Sequence, residues 1–288
     1  MSTVTEQTTQ SPPVQAARSR SRSRKLRRYF TPQENIPRRV YLGAMVATVV
    51  LIILAWCVLT YGGVVNSLFL PAPDQVARTL AVMVQDGTLW THASASLMII
   101  LIGWLTAAVV AVPLGILMGS FRLFEAALEP MITFVRYLPV SALIPLLILY
   151  VGIGDETRIT VIFIGTFFQL IVLVADVAAH VAHDLLDSAY TLGASRRRVV
   201  THVLIPATLP GVMDNLRITI GWAWTYLVVA ELVAAERGLG YLILDSMRGL
   251  FVDRIFVGLL TIGLLGFASD QLFKWLHHKL LPWSPKIG

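Results

Sequence analysis

Histidines and carboxylates cluster between residues 176 and 187 with the spacing of a metal site. Asp176, His180, His183, Asp184 and Asp187 lie three and four residues apart, so a continuous helix would bring them to one face. Imidazole and carboxylate groups in such an arrangement are able to ligate a transition metal. The cluster also follows directly on a long apolar segment, where a helix that leaves a membrane turns polar and meets water. Because a metal site should be enclosed, we predict that no metal binds here.

Other sequence motifs of catalysis are absent. The chain has no G-x-x-x-x-G-K-[ST] loop for a nucleoside triphosphate, no H-E-x-x-H zinc motif and no G-x-S-x-G nucleophile motif. Its one cysteine, Cys57, lies inside an apolar segment, so no intrachain disulfide can form. We therefore predict no catalytic residue and no cofactor bound by this chain. A membrane enzyme that uses the His/Asp cluster stays an alternative.

Two charged residues inside long apolar segments, Arg136 and Glu231, are further candidates. Arg136 could attract an anion, or its long side chain could reach back to the lipid headgroups, and we favour the second interpretation. Glu231 lies near the end of its segment, and a carboxylate costs up to about 3 kcal/mol at the centre of a bilayer. Such an acid should face the interior of the helix bundle, a cavity or a partner subunit. A role in gating and a structural hydrogen bond to a neighbouring helix are both open.

Two prolines, Pro139 and Pro145, lie in the third apolar segment, so its helix is expected to be bent or broken. Unwound backbone at membrane depth is tolerated inside a protein or beside a watery cavity. This segment is therefore a candidate for the lining of a transport pathway, although a proline kink with consequences for packing alone is equally open.

The composition explains why these residues stand out. The 288-residue chain is 56% hydrophobic and 14% charged, whereas a soluble domain carries about 25% charged residues. The apolar residues fall in blocks of about 20, the length of a membrane-spanning helix. Pro73 is expected to begin a further short helix at the membrane surface. We predict an all-α integral membrane protein whose membrane domain covers residues 40–280, with six spans at residues 40–61, 93–119, 130–150, 159–179, 212–235 and 255–276.

The basic residues indicate the orientation. Nine of the 23 Lys and Arg residues lie in residues 1–39, a polar segment that we predict to be a disordered tail beside anionic lipid headgroups. With that tail in the cytoplasm, 18 basic residues fall on the inner side and five on the outer side, as the positive-inside rule requires. Both termini, including the end at residues 281–288, are therefore expected in the cytoplasm. This distribution argues against nucleic acid as a partner.

The stretch from Asp187 to Pro210 lies between the fourth and fifth spans and belongs to a predicted cytoplasmic loop at residues 180–210. Its residues indicate two short helices separated by Gly193, which permits a backbone turn that a side chain would obstruct. Pro206 and Pro210 are expected to end the second helix and to redirect the chain into the next span. A helix–glycine–helix element of this kind is suited to insertion into a groove of a soluble partner.

The same stretch resembles the cytoplasmic loop of permease subunits of bacterial ATP-binding-cassette (ABC) importers, whose pattern is E-A-A-x-x-x-G, nine residues, then I-x-L-P. This chain has Asp187-Ser188-Ala189, Gly193, nine residues, then Val203-Leu204-Ile205-Pro206. Asp replaces the Glu of the pattern and Ser its first Ala. Further motifs resemble the nitrate, sulfonate, taurine and bicarbonate group of these permeases, and together they cover about residues 65–280. They are Leu70-Pro-Ala-Pro73, Leu138-Pro139, Leu143-Ile-Pro145, Gly152-Ile-Gly154, Thr191-Leu-Gly-Ala-Ser195, Ala230-Glu231-Leu232 and Gly238-Leu-Gly-Tyr-Leu-Ile243.

The resemblance implies a type I importer fold and a permease subunit for a small organic or inorganic anion. It further implies a homodimer in the bacterial plasma (inner) membrane, two cytoplasmic ATPase subunits that use ATP and Mg, and an extracytoplasmic solute-binding protein that sets most of the selectivity. In such importers the cytoplasmic loop transmits ATPase closure to the spans, and the acid of its pattern is expected to pair with the ATPase subunit. The positions of this chain that carry the coupling role are Asp187, Ala189, Gly193, Ala194, Arg196 and Pro206.

A six-span secondary transporter driven by an ion gradient is the main alternative. Coupling to an ion requires ionisable residues inside the membrane. The first, second and fourth predicted spans are nearly bare of them, so the sequence favours the importer subunit.

Overall fold

The computed structural model describes residues 37–284, with Ala234 described by its backbone alone. The predicted basic tail up to residue 36 and the last four residues lie outside this range. The contacts divide the chain into two units, residues 1–64 and residues 65–288. The described part of the first unit contains helix α1 (Arg38–Tyr61), which has no buried residue and carries no charge beyond its first two arginines. Its 24 residues are long and apolar enough to cross a membrane.

The second unit is built from helices throughout its described residues, so the predicted all-α fold is confirmed. A π-helical turn, Val200–Leu204, lies between α8 and α9. The helices, in chain order, are α2 (Pro73–Gln85), α3 (Thr88–Ser120), α4 (Arg122–Arg136), α5 (Val140–Val151), α6 (Asp155–Ala179), α7 (His183–Thr191), α8 (Arg196–Val199), α9 (Ile205–Ala234), α10 (Leu239–Arg248) and α11 (Val252–Leu280).

Five helical runs among the described residues are long and apolar enough to cross a membrane, namely α1, α3, α6, α8 with α9, and α11. The pair α4 and α5 makes a sixth run when it counts as one span. The short helix α2 begins at Pro73, as expected, because proline at the first helical position sacrifices no intrahelical hydrogen bond.

The segment predicted as the third span is broken, as its prolines indicated. Helices α4 and α5 meet at an angle of 94°. The break lies at Pro139, because the residue before a proline avoids the helical conformation and Pro139 itself becomes the residue that precedes α5. At the end of α4 the N–H groups of Tyr137 and Leu138 donate to the carbonyls three residues earlier, at 3.3 and 3.0 Å. Pro145, in contrast, lies inside α5.

The expectation that Pro206 and Pro210 end a helix is wrong. Both lie inside α9, and the helical run continues from Arg196 to Val233. A π-helical turn precedes the prolines, and in it the N–H of Ile205 donates to the carbonyl of Val200, five residues back. Such a wide turn gives the helix room for irregular backbone beside Pro206, and Pro210 lies within α9 without ending it. The second helix of the loop therefore continues into the next span without a break.

The most extensive helix contact in the second unit joins α3 and α6, which run parallel. Small residues face α6 at every fourth position of α3, which is the arrangement that lets two backbones approach closely. Added Cβ atoms would lie 2.9 Å from the carbonyl oxygen of Ile159 at Gly103, 2.8 Å from that of Ile171 at Gly115, and 2.1 Å from that of Ala175 at Gly119. The members of this row are Gly103, Ala107, Ala111, Gly115 and Gly119.

Helix α9 packs against both members of this pair. The indole N–H of Trp104 on α3 donates to the hydroxyl of Thr219 at 3.1 Å, and the amide of Asn215 donates to the carbonyl of Leu173 on α6 at 2.9 Å. All four groups are buried or partly buried, so these bonds also satisfy polar atoms inside the bundle. The three helices α3, α6 and α9 therefore form the core that positions the candidate sites.

We expect Gly119→Ala to lower the free energy of unfolding by about 1–3 kcal/mol, because the new methyl group would overlap backbone atoms of α6. Gly263→Ala inside α11 is the matched control. A Cβ there meets no described atom within 4 Å, so replacing this helical glycine should stabilise by about 0.5–1 kcal/mol. Reversible unfolding of the purified chain in mixed detergent micelles measures both. Equal effects of the two substitutions would contradict the close α3–α6 contact.

Candidate functional site

The first candidate site is a helix–glycine–helix segment at residues 183–199, which we term the knob. It consists of α7, a four-residue turn and α8. At the end of α7 the N–H of Ala194 donates to the carbonyl of Ala189 at 3.0 Å, and the N–H of Gly193 donates to that of Tyr190 at 2.9 Å. This pair of bonds is the Schellman arrangement that ends many helices, and it needs a residue in the left-handed region. Gly193 supplies it with φ +79°, so the expected turn at this glycine is present.

The knob exposes an apolar surface. Helix α7 contains no buried residue and packs chiefly against α8 and the π-helical turn. Leu185, Tyr190 and Leu192 are exposed, and Leu192 is exposed to 88%. The guanidinium of Arg196 lies 5.4 Å from the ring centroid of Phe121, which links the knob to the junction of α3 and α4. A small element with three large apolar side chains in water is suited to contact with another protein.

The structure brings five of the six predicted loop residues together on the knob. Asp187 and Arg196 are exposed, and no ion pair joins Asp187 to another residue in the described range. Pro206 lies apart from the others, in the first turn of α9. The five residues of the knob are Asp187, Ala189, Gly193, Ala194 and Arg196.

The His/Asp cluster does not share one helix face, because α6 ends at Ala179 and α7 begins at His183. Asp176 and His180 approach each other to 3.3 Å, but both side chains are more than two-thirds exposed. Over residues 37–284, no three His, Cys, Asp or Glu side chains are placed to hold a metal ion.

The second candidate site is a cavity of about 380 Å³ at the break between α4 and α5, lined also by α6 and α9. Of the predicted pathway residues, Pro139 lines this cavity and Pro145 does not. Pro145 lies one turn further along α5, where its missing N–H removes the helical donor for the carbonyl of Ser141. The polar residues of the lining are Arg136, Tyr137, Ser141, Gln169, Thr225 and Tyr226.

Arg136 is the last residue of α4 and lines this cavity. Its carbonyl accepts a hydrogen bond of 3.4 Å from the amide of Gln169, which lies in the middle of α6. Its Nη2 donates to the hydroxyl of Tyr137 at 3.2 Å, and the guanidinium lies 5.0 Å from the centroid of the Tyr137 ring. The favoured interpretation, that Arg136 reaches the headgroups, stays a prediction.

Glu231 lies outside the cavity, fully buried at the end of α9. Its carboxylate accepts hydrogen bonds of 2.7 Å from the hydroxyl of Ser96 and of 2.7 Å from the N–H of Gly240. The Ser96 hydroxyl in turn accepts a bond of 2.8 Å from the N–H of Leu239, and the N–H of Gly238 donates to Nδ1 of His92 at 3.1 Å. Side chains from α3 and α9 thus satisfy three successive N–H groups at the start of α10, which would otherwise lack partners. We term this arrangement the clamp.

The clamp requires glycine at two positions, because a side chain at either one would overlap Glu231. An added Cβ at Gly238 would lie 2.2 Å from a carboxylate oxygen of Glu231, and one at Gly240 would lie 2.8 Å from its Cβ. Arg158 of α6 is also buried here, with Nη1 at 3.9 Å from the carboxylate of Glu231 and at 2.9 Å from the carbonyl of Arg237. Of the two roles considered for Glu231, the structure displays the hydrogen bond to a neighbouring helix.

Several residues of these sites were missed by sequence reasoning. Gln169 gave a usable signal, since it is the one amide inside an otherwise apolar span. Tyr226 and Thr225 gave no usable signal, because residues of these types are common in spans. The cavity that they line lies at the bend beside Pro139, which is far from them in sequence. Arg158 lies one residue before the predicted fourth span, and its burial against Glu231 depends on a contact across 73 residues of chain.

The chain was compared with known proteins. Residues 111–282 match the family described as binding-protein-dependent transport system inner membrane component. The chain is 31% identical to a taurine transport system permease protein from Escherichia coli, over 84% of this chain and 90% of the relative. It is also 31% identical to a putative aliphatic sulfonates transport permease protein from Bacillus subtilis (81% and 84% covered). A nitrate import permease protein from Synechocystis is 28% identical (83% and 89% covered).

Solved structures give the fold. The chain is similar to a chain of the MetNI methionine ABC transporter in inward-facing conformations, with a TM-score of 0.53 and 19% identity over 65% of this chain and 94% of that one. An amino acid ABC transporter gives a TM-score of 0.52 and 14% identity over 71% and 98%. At these identities the likeness concerns the fold alone, and it confirms the expected importer-permease architecture.

We expect Glu231→Gln to lower the free energy of unfolding by about 1–3 kcal/mol, because the amide nitrogen would face a donor where a carboxylate oxygen now accepts. Glu236→Gln is the matched control, since this nearby acid is exposed and should change stability by less than about 0.5 kcal/mol. Protease cleavage between residues 234 and 240 reports opening of the clamp. Equal stability and cleavage in both variants would contradict the clamp.

Proposed function

The chain belongs to the family of binding-protein-dependent transport system inner membrane components, and on that premise we propose that it imports a small solute with an anionic group, of the sulfonate, taurine, nitrate or bicarbonate type. It is a multi-pass inner-membrane permease of an ABC importer and not an enzyme, since ATP hydrolysis resides in a separate ATPase subunit. This membership agrees with the importer interpretation and not with an ion-driven secondary transporter.

The solute class draws on the names of the relatives. They are named for taurine, aliphatic sulfonates and nitrate, all of which carry an oxyanion group on sulfur or nitrogen. An extracytoplasmic binding protein is expected to deliver the solute and to set most of the selectivity. No cofactor is needed by this chain for that role, and ATP and Mg are used by the ATPase.

The knob is the observation that carries the coupling role. We propose that α7 and the turn after it insert the apolar side chains Leu185, Tyr190 and Leu192 into a groove of the ATPase subunit. The exposed Asp187 is then free to pair with a basic residue of that partner. Because α7 has few contacts with the rest of its own chain, burial of these side chains by a partner would add apolar contact without disturbing the fold.

The connection from the knob to the cavity is one continuous helix. The helical run over Arg196–Val233 joins α8, the π-helical turn and α9. Helix α9 contributes Thr225 and Tyr226 to the cavity. A displacement of the knob by closure of the ATPase subunits would therefore move the cavity wall directly, and the π-helical turn, a frequent feature of functional sites, lies where the two parts join.

Six crossings, with α4 and α5 counted as one, support a topology in which both termini and the knob lie in the cytoplasm. The excess of basic residues on that side agrees with it. We further propose a homodimer. The exposed apolar residues Leu146, Leu149 and Tyr150 of α5 offer a surface for the second copy, close to the cavity.

We expect Gly193→Val to reduce ATP-driven solute uptake by the reconstituted importer by about tenfold, because a β-branched residue resists the left-handed backbone at this position. Gly193→Asn is the matched control, since Asn tolerates that conformation, and it should keep most of the uptake. Both variants should reach the membrane like the wild type, because a Cβ here meets no described atom within 4 Å. Full uptake by the Val variant, together with normal ATPase association, would contradict the docking role.

A further inference from the structure

We infer that the cavity between α4, α5, α6 and α9 is an anion-binding site of the permease itself, with Arg136 as its cationic contact, and that it selects solutes of net negative charge. This inference rests on the proposed import of a small anion and adds the place in this chain where the anion is recognised. It gives the permease a selectivity of its own beside that of a binding protein.

The charge of Arg136 is not balanced by the protein. Within residues 37–284, no carboxylate lies within 4 Å of its guanidinium, whereas Arg158 pairs with Asp155 and Arg217 pairs with Asp270. The Nε atom of Arg136 is buried and has no hydrogen-bond partner among the described residues. A partly buried cation with a free donor inside a membrane protein is expected to face a cavity and to bind an anion there.

The other groups of the lining complete a site for oxygen atoms. Tyr137, Ser141 and Thr225 carry hydroxyl groups and Gln169 an amide, and each of these is able to donate a hydrogen bond to an oxyanion. The apolar part of the lining, from residues such as Phe168 and Val229, fits a short alkyl chain. The volume of about 380 Å³ lies in the range of small-molecule sites.

The absence of acids from this lining indicates the net charge of the solute. Neither Asp nor Glu is among the described residues that line the cavity, so an ammonium group would find no carboxylate there. A simple alkanesulfonate or nitrate satisfies the site with one negative group. A zwitterion such as taurine adds a cation to a cavity that already holds a guanidinium. We therefore expect net anions to bind more tightly than zwitterions.

Thermal unfolding of the purified full-length chain, titrated with ethanesulfonate, tests the site without any partner subunit. Ethanesulfonate should raise the unfolding midpoint, and above its Kd the rise should grow with the logarithm of its concentration. Methyl ethyl sulfone, an uncharged molecule of similar shape, should not, and taurine should bind about tenfold more weakly than ethanesulfonate. Arg136→Gln should weaken ethanesulfonate binding by about tenfold or more, since charge-assisted hydrogen bonds are lost. The control Arg122→Gln, at an exposed residue paired with Glu125, should bind as the wild type does.

A second variant keeps the test decisive if Arg136→Gln does not fold. Ser141→Asp places a carboxylate in the same cavity, where it should compete for Arg136 and abolish ethanesulfonate binding. Equal binding of ethanesulfonate and the sulfone, or unchanged binding in a folded cavity variant, would overturn the site. Equal binding of taurine and ethanesulfonate would overturn the selection for net charge.

Uptake of radiolabelled ethanesulfonate by the complete importer, measured in parallel, separates this inference from the proposed function. Uptake that persists in the absence of binding at the cavity overturns the inference and leaves the importer role intact. Ethanesulfonate binding that depends on Arg136 supports the inference. If such binding is found but the importer takes up no ethanesulfonate with ATP, the proposed solute class is wrong and the inferred site remains.

Discussion

The close parallel contact of α3 and α6 is the constraint on which the second unit depends. Glycine and alanine at every fourth position of α3 bring the two backbones together, and larger side chains would force them apart. The contact fixes the two helices in register. At one end it brings Ser96 and Arg158 to the same buried carboxylate, and beyond the other end Phe121 lies beneath Arg196 of the knob. Without this register neither the clamp nor the contact between Phe121 and Arg196 of the knob would form.

Helix α9 unites the three sites on this frame. The knob precedes it, the cavity lies along its last third and the clamp lies at its end. A displacement of the knob would therefore act on a helix whose far end is held by Glu231 and which lines the cavity with Tyr226. In the proposed coupling, closure of the partner ATPase would change the position of this one helix, and the same helix would form part of the solute path.

Local chemistry predicted those features of this fold that depend on neighbouring residues. Apolar blocks of span length became helices, and Gly193 became the left-handed turn that a helix end requires. The rule that proline ends a helix was wrong at Pro206, because the preceding π-helical turn changes the hydrogen bonding around it. The surroundings of Arg136 could not be predicted for a different reason: they depend on the 94° bend and on Gln169, which lies 33 residues further along the chain. Glu231 was recognised as buried, but its partners on α3 lie 135 residues earlier, beyond any local pattern.

We propose that this chain is a passive pathway opened by a separate ATPase. Solute uptake into membrane vesicles that contain the permease, its ATPase and its binding protein tests this proposal most directly, with ATP and ion gradients supplied in turn. We expect uptake that requires ATP and the binding protein and that persists when ionophores collapse every ion gradient. Uptake in ATP-depleted vesicles on an ion gradient alone would contradict it.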